Sequence, residues 1–246
     1  MNCIGEIKHS FYINLESRPD RKKMVEYELH KLGIEPNRFN AIKLKNGALG
    51  CSMSHLKCVE TAKKNNWGHI LIVEDDIKFT NVPLFQKQLN TFLGKHKDWD
   101  VILIAGNNIP PYKVIDDTCV KVSRCQTTTG YLVNSCYYDT LINNIKQGIH
   151  FLMREPEKHA TYAIDKYWFH LQEKDNWYLI TPLTVVQEEG YSDIEKRMTN
   201  YKSIMVDLDK KMLFERQRMM SENIIKNNSL KTNKPSMKIN MINTIK

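Results

Sequence analysis

The chain has 246 residues, of which 41% are hydrophobic and 26% charged, and 36 lysines and arginines against 28 acidic side chains give a net charge of +8. That length can bury a core without disulfide staples, and the composition excludes wholesale disorder. A mean hydropathy of −0.49, with no apolar run of membrane-spanning length, excludes a transmembrane helix.

The N-terminus MNCIGEIKHSFYIN holds no apolar stretch long enough for a signal peptide and leads directly into a strand pattern, Ser10 to Leu15. A tight turn follows at Glu16-Ser17-Arg18-Pro19-Asp20. Ser17 and Asp20 stand in the S-x-x-D relation of a helix start, and Val25, Leu29 and Leu32 repeat at helical spacing until Gly33. A second helix is expected from Ser52 to Trp67, with Met53, Leu56, Val59 and Ala62 on one stripe and Gly68 as its stop. The strand His69 to Val73 runs into Glu74-Asp75-Asp76, and a helix near Val82 to Leu93 leads to the apolar strand Asp100 to Gly106. This alternation predicts an α/β domain with a mainly parallel N-terminal sheet covered on both faces.

Past Pro110-Pro111 the pattern becomes mixed. Short strands are expected at Cys119 to Val122, Tyr131 to Val133, Tyr178 to Ile180 and Leu183 to Val186, with helices at Tyr137 to Ile145 and Ala163 to Leu171. A long helix is predicted over Ser203 to Ile225 from Ile204, Leu208, Met212, Glu215 and Met219. The layout is therefore a domain over 1–200, a C-terminal helix over 201–225 that could pair two copies, and a basic flexible tail over 226–246. That tail accounts for much of the net charge, so no specific nucleic-acid partner is expected. Six cysteines (Cys3, Cys51, Cys58, Cys119, Cys125, Cys136) without a C-x-x-C pair fit a reducing, cytoplasmic compartment. The triplet Asn227-Asn228-Ser229 then has no meaning as a glycan acceptor.

Four constellations could carry chemistry. Alternation along an extended chain would set Glu74 and Asp76 on one side and Asp75 on the other, a pair of carboxylates suited to Mg²⁺ or Mn²⁺; the alternative is a solvated acidic turn. Arg18 and Arg21 flank a helix start after a strand end, where guanidiniums can grip phosphate or simply pair with carboxylates. The stretch Gly47-Ala48-Leu49-Gly50-Cys51-Ser52-Met53-Ser54-His55 allows close backbone approach to a sugar or phosphate, or is a flexible turn with a half-buried histidine; Cys51 reads as a buried structural thiol. Thr127 to Tyr131 and Ala163 to Trp168 set polar groups beside aromatics, as sugar sites do, although Asp165 also suits a plain helix N-terminus.

Taken in order, YINLESRPDR, GALGCSMSH, ILIVEDDIKF, TTGYLVN, AIDKYW and VVQEEGYSDIE resemble glycosyltransferase family 25, which includes lipopolysaccharide-type sugar transferases and procollagen galactosyltransferases. The Asn-, Lys- and Ile-rich style resembles a giant-virus member, for which host cytoplasm or virion would be the location. The resemblance implies a GT-A fold, a nucleotide-sugar donor such as a UDP-hexose, a glycan or protein hydroxyl as acceptor, a Mn²⁺ or Mg²⁺ ion, and inversion at the anomeric carbon. Carried over by position, Glu74 and Asp76 would hold the metal, Asp76 directly, and Asp165 would be the general base. Asn14, Leu15, Arg18, Arg21, His55, Asp75, Thr129, Gly130, Gln187, Ser192 and Asp193 would serve the donor. Ala48 departs from the acidic residue that many relatives have there. Two other readings compete: a metal-dependent nucleotidyltransferase or phosphohydrolase, and a non-catalytic glycan- or nucleic-acid-binding protein.

Overall fold

A computed structural model describes residues 1–211, 214–216 and 218–222. The elements in chain order are β1 Ser10–Asn14, α1 Pro19–His30, β2 Arg38–Asn40, α2 Gly47–Lys64, β3 His69–Glu74, β4 Ile77–Phe79, α3 Val82–Lys95, β5 Val101–Leu103, β6 Asn107–Asn108, β7 Tyr112–Val114, β8 Cys119–Val122, β9 Cys125–Gln126, β10 Gly130–Asn134 and α4 Tyr138–Arg154. They continue with α5 His159–Tyr162, α6 Ile164–Tyr167, α7 Phe169–Lys174, β11 Trp177–Ile180, β12 Val185–Gln187, β13 Gly190–Ser192, β14 Arg197–Thr199 and α8 Lys202–Met205. The chain divides into two compact units, 1–209 and 210–246, and all of these elements belong to the first.

An eight-stranded sheet of order β2-β1-β3-β10-β5-β11-β8-β7 forms its centre. β1 runs parallel to β2 and β3, and β5 parallel to β11, while β10 lies antiparallel between β3 and β5. This is the expected fold class, a parallel N-terminal part with mixed later strands. β10 takes an interior place because Gly130, Tyr131, Leu132 and Val133 are all buried, so both faces of that strand need cover.

Period-two alternation sorts the sheet into two cores. Leu71, Val73, Ile102 and Leu132 pack with Val25, Leu29, Phe85 and Phe92 from α1 and α3. Ile70, Ile72, Val101, Leu103, Tyr131 and Val133 pack with Val59, Ala62, Leu141 and Trp168 on the other face. Burying each such side chain contributes roughly 1.5–3 kcal/mol before chain entropy is subtracted.

Several boundaries differ from expectation. α1 begins with Pro19 at its first position, and Ser17 gives no cap, because Asp20 bonds Arg18 instead. α2 starts five residues before the expected Ser52: the Asn46 side chain accepts the Leu49 N–H and nucleates it there. Gly50 belongs inside that helix for packing, since a Cβ would lie 2.4 Å from the Ile42 carbonyl oxygen. The expected helix Ala163 to Leu171 breaks at buried Trp168, whose indole N–H donates to the Cys125 carbonyl. The long helix expected over 201–225 is also interrupted: α8 ends at Met205, and Lys210 has φ +59° before helical backbone resumes at Lys211. The 226–246 tail, with Asn227-Asn228-Ser229, lies outside the described residues. The six cysteines form no disulfide among the described residues, and no helix among those residues is long and apolar enough to cross a membrane.

Candidate functional site

The carboxyl ends of parallel β1 and β3 meet beside the start of α1, the place where open α/β sheets bind ligands. Asn14 closes β1 and is buried; its amide donates to Asp75 Oδ2 at 2.7 Å and to the Arg18 carbonyl at 3.0 Å. Arg38 of β2 fixes it from behind by donating to Asn14 Oδ1 at 3.1 Å. Leu15 accepts the Arg18 N–H, closing the tight turn that delivers both arginines to the sheet end.

β3 ends at Glu74 and the chain turns at once, so the simple alternation expected through Asp76 does not continue. The three acids divide differently. Asp75 and Asp76 share Arg21, whose Nη1 lies 3.0 Å from Asp75 Oδ1 and 3.2 Å from Asp76 Oδ2. Glu74 belongs to another set: Thr128 Oγ1 donates to Oε1 at 2.8 Å, Gln187 donates to Oε2 at 3.3 Å, and His55 Nε2 stands 3.6 Å from Oε1. The two sets are still close enough to influence each other. Burial, and then the Glu74 charge, push the Asp76 carboxyl up to about 7. Asp75 is also raised by burial, partly offset by Asn14 and Arg21. Burial works to raise Glu74 too, but His55, the Thr128 hydroxyl and the Arg21 charge together hold it below the ordinary carboxylate range.

The hairpin β13–β14 forms the opposite wall. Arg21 Nη2 donates to the Tyr191 carbonyl at 3.0 Å, and Arg18 Nη1 donates to Asp193 Oδ2 at 2.9 Å. Arg18 also forks onto Asp20, which strengthens its hold on its proton. Between these groups lies a cavity of about 160 Å³ lined by Arg18, Asp20, Arg21, Met24, Asp76, Glu188, Glu189 and Gly190. Ser192 closes the hairpin turn by accepting the Glu195 N–H.

Asp165, at the start of α6, lies near Glu74: both charges reach Cys51, whose thiol burial and these neighbours push up. Its Oδ2 accepts the Thr127 N–H at 3.2 Å and has Lys166 Nζ at 3.8 Å, while burial raises the carboxyl. Thr127 itself holds φ +76°, an uncommon conformation for a β-branched residue, of the kind that clusters at functional sites.

The structure thus brings Asn14, Arg18, Arg21, Asp75, Asp76 and Asp193 together, with Glu74, Gln187 and Asp165 adjoining. Three expectations need correction. His55 is fully buried and stacks on Tyr131, so it has no surface to offer a nucleotide sugar. Thr129 is fully buried, with its hydroxyl turned to Thr127; Thr128 is the member of that run that reaches Glu74. Gly130 is a packing glycine, since a Cβ there would meet Ile104 and Ile77 at 2.8–2.9 Å. Sequence reasoning missed Arg38 and the Tyr191 carbonyl, and within the run Thr127 to Tyr131 it named Thr129 where Thr128 is the residue that reaches Glu74. A backbone carbonyl leaves no sequence signal, whereas Arg38 and Thr128 follow only once the strand order is known.

The sequence profile of Glycosyltransferase family 25 (LPS biosynthesis protein) matches residues 43–168, half of the chain and the segment that carries α2, the acidic triplet and Asp165. The chain belongs to glycosyltransferase family 25. Similar family 25 proteins include a glycosyltransferase 25 family member of Aedes aegypti, 22% identical over 258 residues covering 82% of this chain. One of Anopheles gambiae is 24% identical over 196 residues, 65% of this chain. The chain spans 40% and 31% of those relatives' lengths, respectively. Among solved structures, a glycosyltransferase involved in glycosylation of the major capsid of PBCV-1 aligns over 81% of this chain and 88% of its own, at 10% identity and a TM-score of 0.41. Mannose-1-phosphate geranyltransferase from Thermus thermophilus aligns over 70% and 73%, at 9% identity and a TM-score of 0.43. Likenesses that distant carry no weight, and the assignment to family 25 stands on the sequence.

Proposed function

We propose that this protein transfers a sugar from a nucleoside-diphosphate donor, UDP-linked by analogy with the family resemblance, to a hydroxyl of a glycan or protein acceptor, with inversion and with the help of a divalent ion. The observation that carries this reading is Asp76. Its carboxylate is raised to about 7, and its Oδ1 is buried with no hydrogen-bond partner among the described residues, in the wall of a cavity that also presents two arginines. A buried, unpaired carboxylate oxygen beside two more acids is short of positive charge, which fits a hard, oxygen-liking cation. The acids do not form a closed cage by themselves, since Asp75 and Asp76 lean on Arg21 and Glu74 on Thr128 and Gln187. Asp76 would hold the ion, with Asp75 and Glu74 adding negative charge around it. Such an ion supplies neutralisation of the diphosphate as it departs.

The chain's own residues supply the rest. Arg18 and Arg21 offer planar donor forks to phosphate oxygens, and the carboxylates that they bridge hold them in place meanwhile. The cavity of about 160 Å³ has room for a phosphate group and leaves the remainder of a nucleotide sugar outside it. Asp165 accepts the acceptor hydroxyl's proton as that oxygen attacks; a carboxylate raised by burial is a better base than an ordinary one. One base and a single displacement need no covalent sugar intermediate.

The test combines two measurements on the full chain. Nucleotide sugars are screened by thermal shift with and without Mn²⁺, since only a matched donor stabilises the fold by mass action. The products are then identified: a released nucleoside diphosphate is expected, and pyrophosphate or inorganic phosphate instead would overturn the reading. Asp165→Asn keeps the shape and removes the proton acceptor, so turnover should fall by ~10²–10⁴-fold with donor affinity unchanged. Near-parental transfer by that variant would assign the base to another carboxylate.

A further inference from the structure

Two groups of three metal-ligating side chains converge among the described residues, Cys51/His55/Glu74 and His96/Asp116/Cys119. They differ in what their polar atoms already do. In the second group His96 Nε2 is bonded to Asp116 Oδ2 at 2.9 Å, and Thr118 donates to Asp116 Oδ1 from both its N–H and its hydroxyl. That carboxylate is supplied with donors and the ring nitrogen is occupied. In the first group, His55 Nε2 is buried without a hydrogen-bond partner among the described residues, and the nearest Glu74 oxygen stands 3.6 Å away, beyond hydrogen-bond length.

We propose that Cys51, His55 and Glu74 form a binding site for a thiolate-preferring divalent transition ion of the zinc class, distinct from the oxygen-lined position at Asp76. Cys51 and His55 are four residues apart on α2 and so share one helix face, opposite the end of β3. Cys51 Sγ is 3.8 Å and His55 Nε2 3.6 Å from the same Glu74 oxygen, and all three ligand atoms lie within 4.8 Å of one another. Sulfur at about 2.3 Å and nitrogen and oxygen at about 2.0–2.1 Å from a tetrahedral zinc lie roughly 3.3–3.5 Å apart, so the sulfur and the ring nitrogen are each within a few tenths of an ångström of the spacing that they need to the Glu74 oxygen.

The surroundings suit a ligand set as well. His55 Nδ1 lies 2.8 Å from the Tyr131 hydroxyl, which fixes the ring with Nε2 facing Glu74, and Thr128 and Gln187 steady the carboxylate. Outer hydrogen bonds of this kind orient metal ligands elsewhere. Three protein ligands leave the fourth position open to water. A mixed sulfur, nitrogen and carboxylate set selects zinc-class ions over Mg²⁺, which prefers oxygen alone. On binding, the Cys51 S–H bond gives way to a metal–sulfur bond and the proton leaves to solvent.

The site does not rest on the transferase reading, because its test reads binding by spectroscopy. The full chain, stripped of metal with a chelator, is titrated with Co²⁺. A thiolate-to-cobalt charge-transfer band in the near ultraviolet is expected, saturating at a single equivalent and displaced by Zn²⁺. Cys51→Ser should abolish that band and weaken zinc binding by at least ~100-fold, since even outer-sphere partners are worth 10–100-fold. His55→Gln should weaken binding and keep a thiolate band, and Cys119→Ser should change nothing. Circular dichroism and melting temperature establish that each variant folds; serine is close in size to cysteine, so Cys51→Ser carries the test should His55→Gln fail to fold. No band in the parent, a band that survives Cys51→Ser, or one lost in Cys119→Ser would overturn the proposal.

Discussion

Asp76 and Asp116 have side chains of similar exposed fraction, 18% and 23%, but Asp76 lies far deeper in the protein, and their surroundings shift the two carboxyls in opposite directions. Asp116 receives the Thr118 N–H, the Thr118 hydroxyl and His96; burial works to raise it, but these donors hold it well below the ordinary carboxylate range. Asp76 is pushed up to about 7, first by burial and then by the Glu74 charge; it shares one guanidinium with Asp75 and keeps one oxygen unpartnered among the described residues. Depth and the supply of hydrogen-bond donors therefore act together: Asp76 is deep and short of donors, whereas Asp116 is shallow and well supplied. A fold gains nothing from a carboxylate that it leaves under-supplied, so such a group marks a place kept ready for a cation or for a reacting proton.

The largest effect that could break this comparison is on turnover. Asp76→Asn should lower sugar transfer by about 10²–10³-fold, the scale on which one electrostatic stabiliser is lost, and remove any stabilisation by Mn²⁺. The same variant should raise the metal-free protein's stability by roughly 0.5–2 kcal/mol, because it removes a buried charge and with it the repulsion among three acids. Asp116→Asn should do the reverse. It should leave transfer intact and destabilise by roughly 1–3 kcal/mol, since an amide cannot accept from all three donors. Denaturant melts beside a nucleoside-diphosphate release assay measure both variants. Parallel losses of stability and activity in the two would show that the asymmetry is not functional.

The sequence made one half of this contrast readable. An apolar strand ending in Glu74-Asp75-Asp76, and two arginines in the turn after β1, are local patterns, and the sheet brings those segments side by side as β1 and β3. Side-chain direction was less readable. Alternation placed Glu74 with Asp76 because it assumed that the strand continues; β3 stops at Glu74, and the turn gives Asp75 and Asp76 to Arg21. β10 between β3 and β5 was also beyond local pattern, since Tyr131 to Val133 reads the same at an edge or in a centre. Without that placement nothing ties Thr128 to Glu74, and the Tyr131 that covers His55 arrives only with β10, so the half-buried histidine and the donor role that the family resemblance implied could not be told apart. The stripe from Ile204 to Met219 failed for a different reason. Helical spacing is a necessary condition for a helix, and nothing in the spacing registers the left-handed backbone at Lys210.

The smallest effect, and the sharpest on mechanism, is a pH dependence. Asp76 has a folded pKa of about 7, above an unfolded value near 3.9, so the folded state binds its proton more tightly. The stability that it contributes is full below pH ~4 and is lost as pH rises through about 7. Asp116 is lowered, so its contribution is present above pH ~4 and is lost only in stronger acid, as pH falls through its folded value. Other groups titrate between these limits, so the informative quantity is the difference between Asp76→Asn and the parent, both free of metal. Near pH 4 Asp76 is protonated and neutral like asparagine, and the two should melt together. Near pH 8 the parent carries an extra buried charge, and the variant should melt higher by ~2–6 °C. A difference already complete at pH 4 would mean that packing, and not charge, separates them, and Asp76 would then lose its claim to be an under-supplied carboxylate.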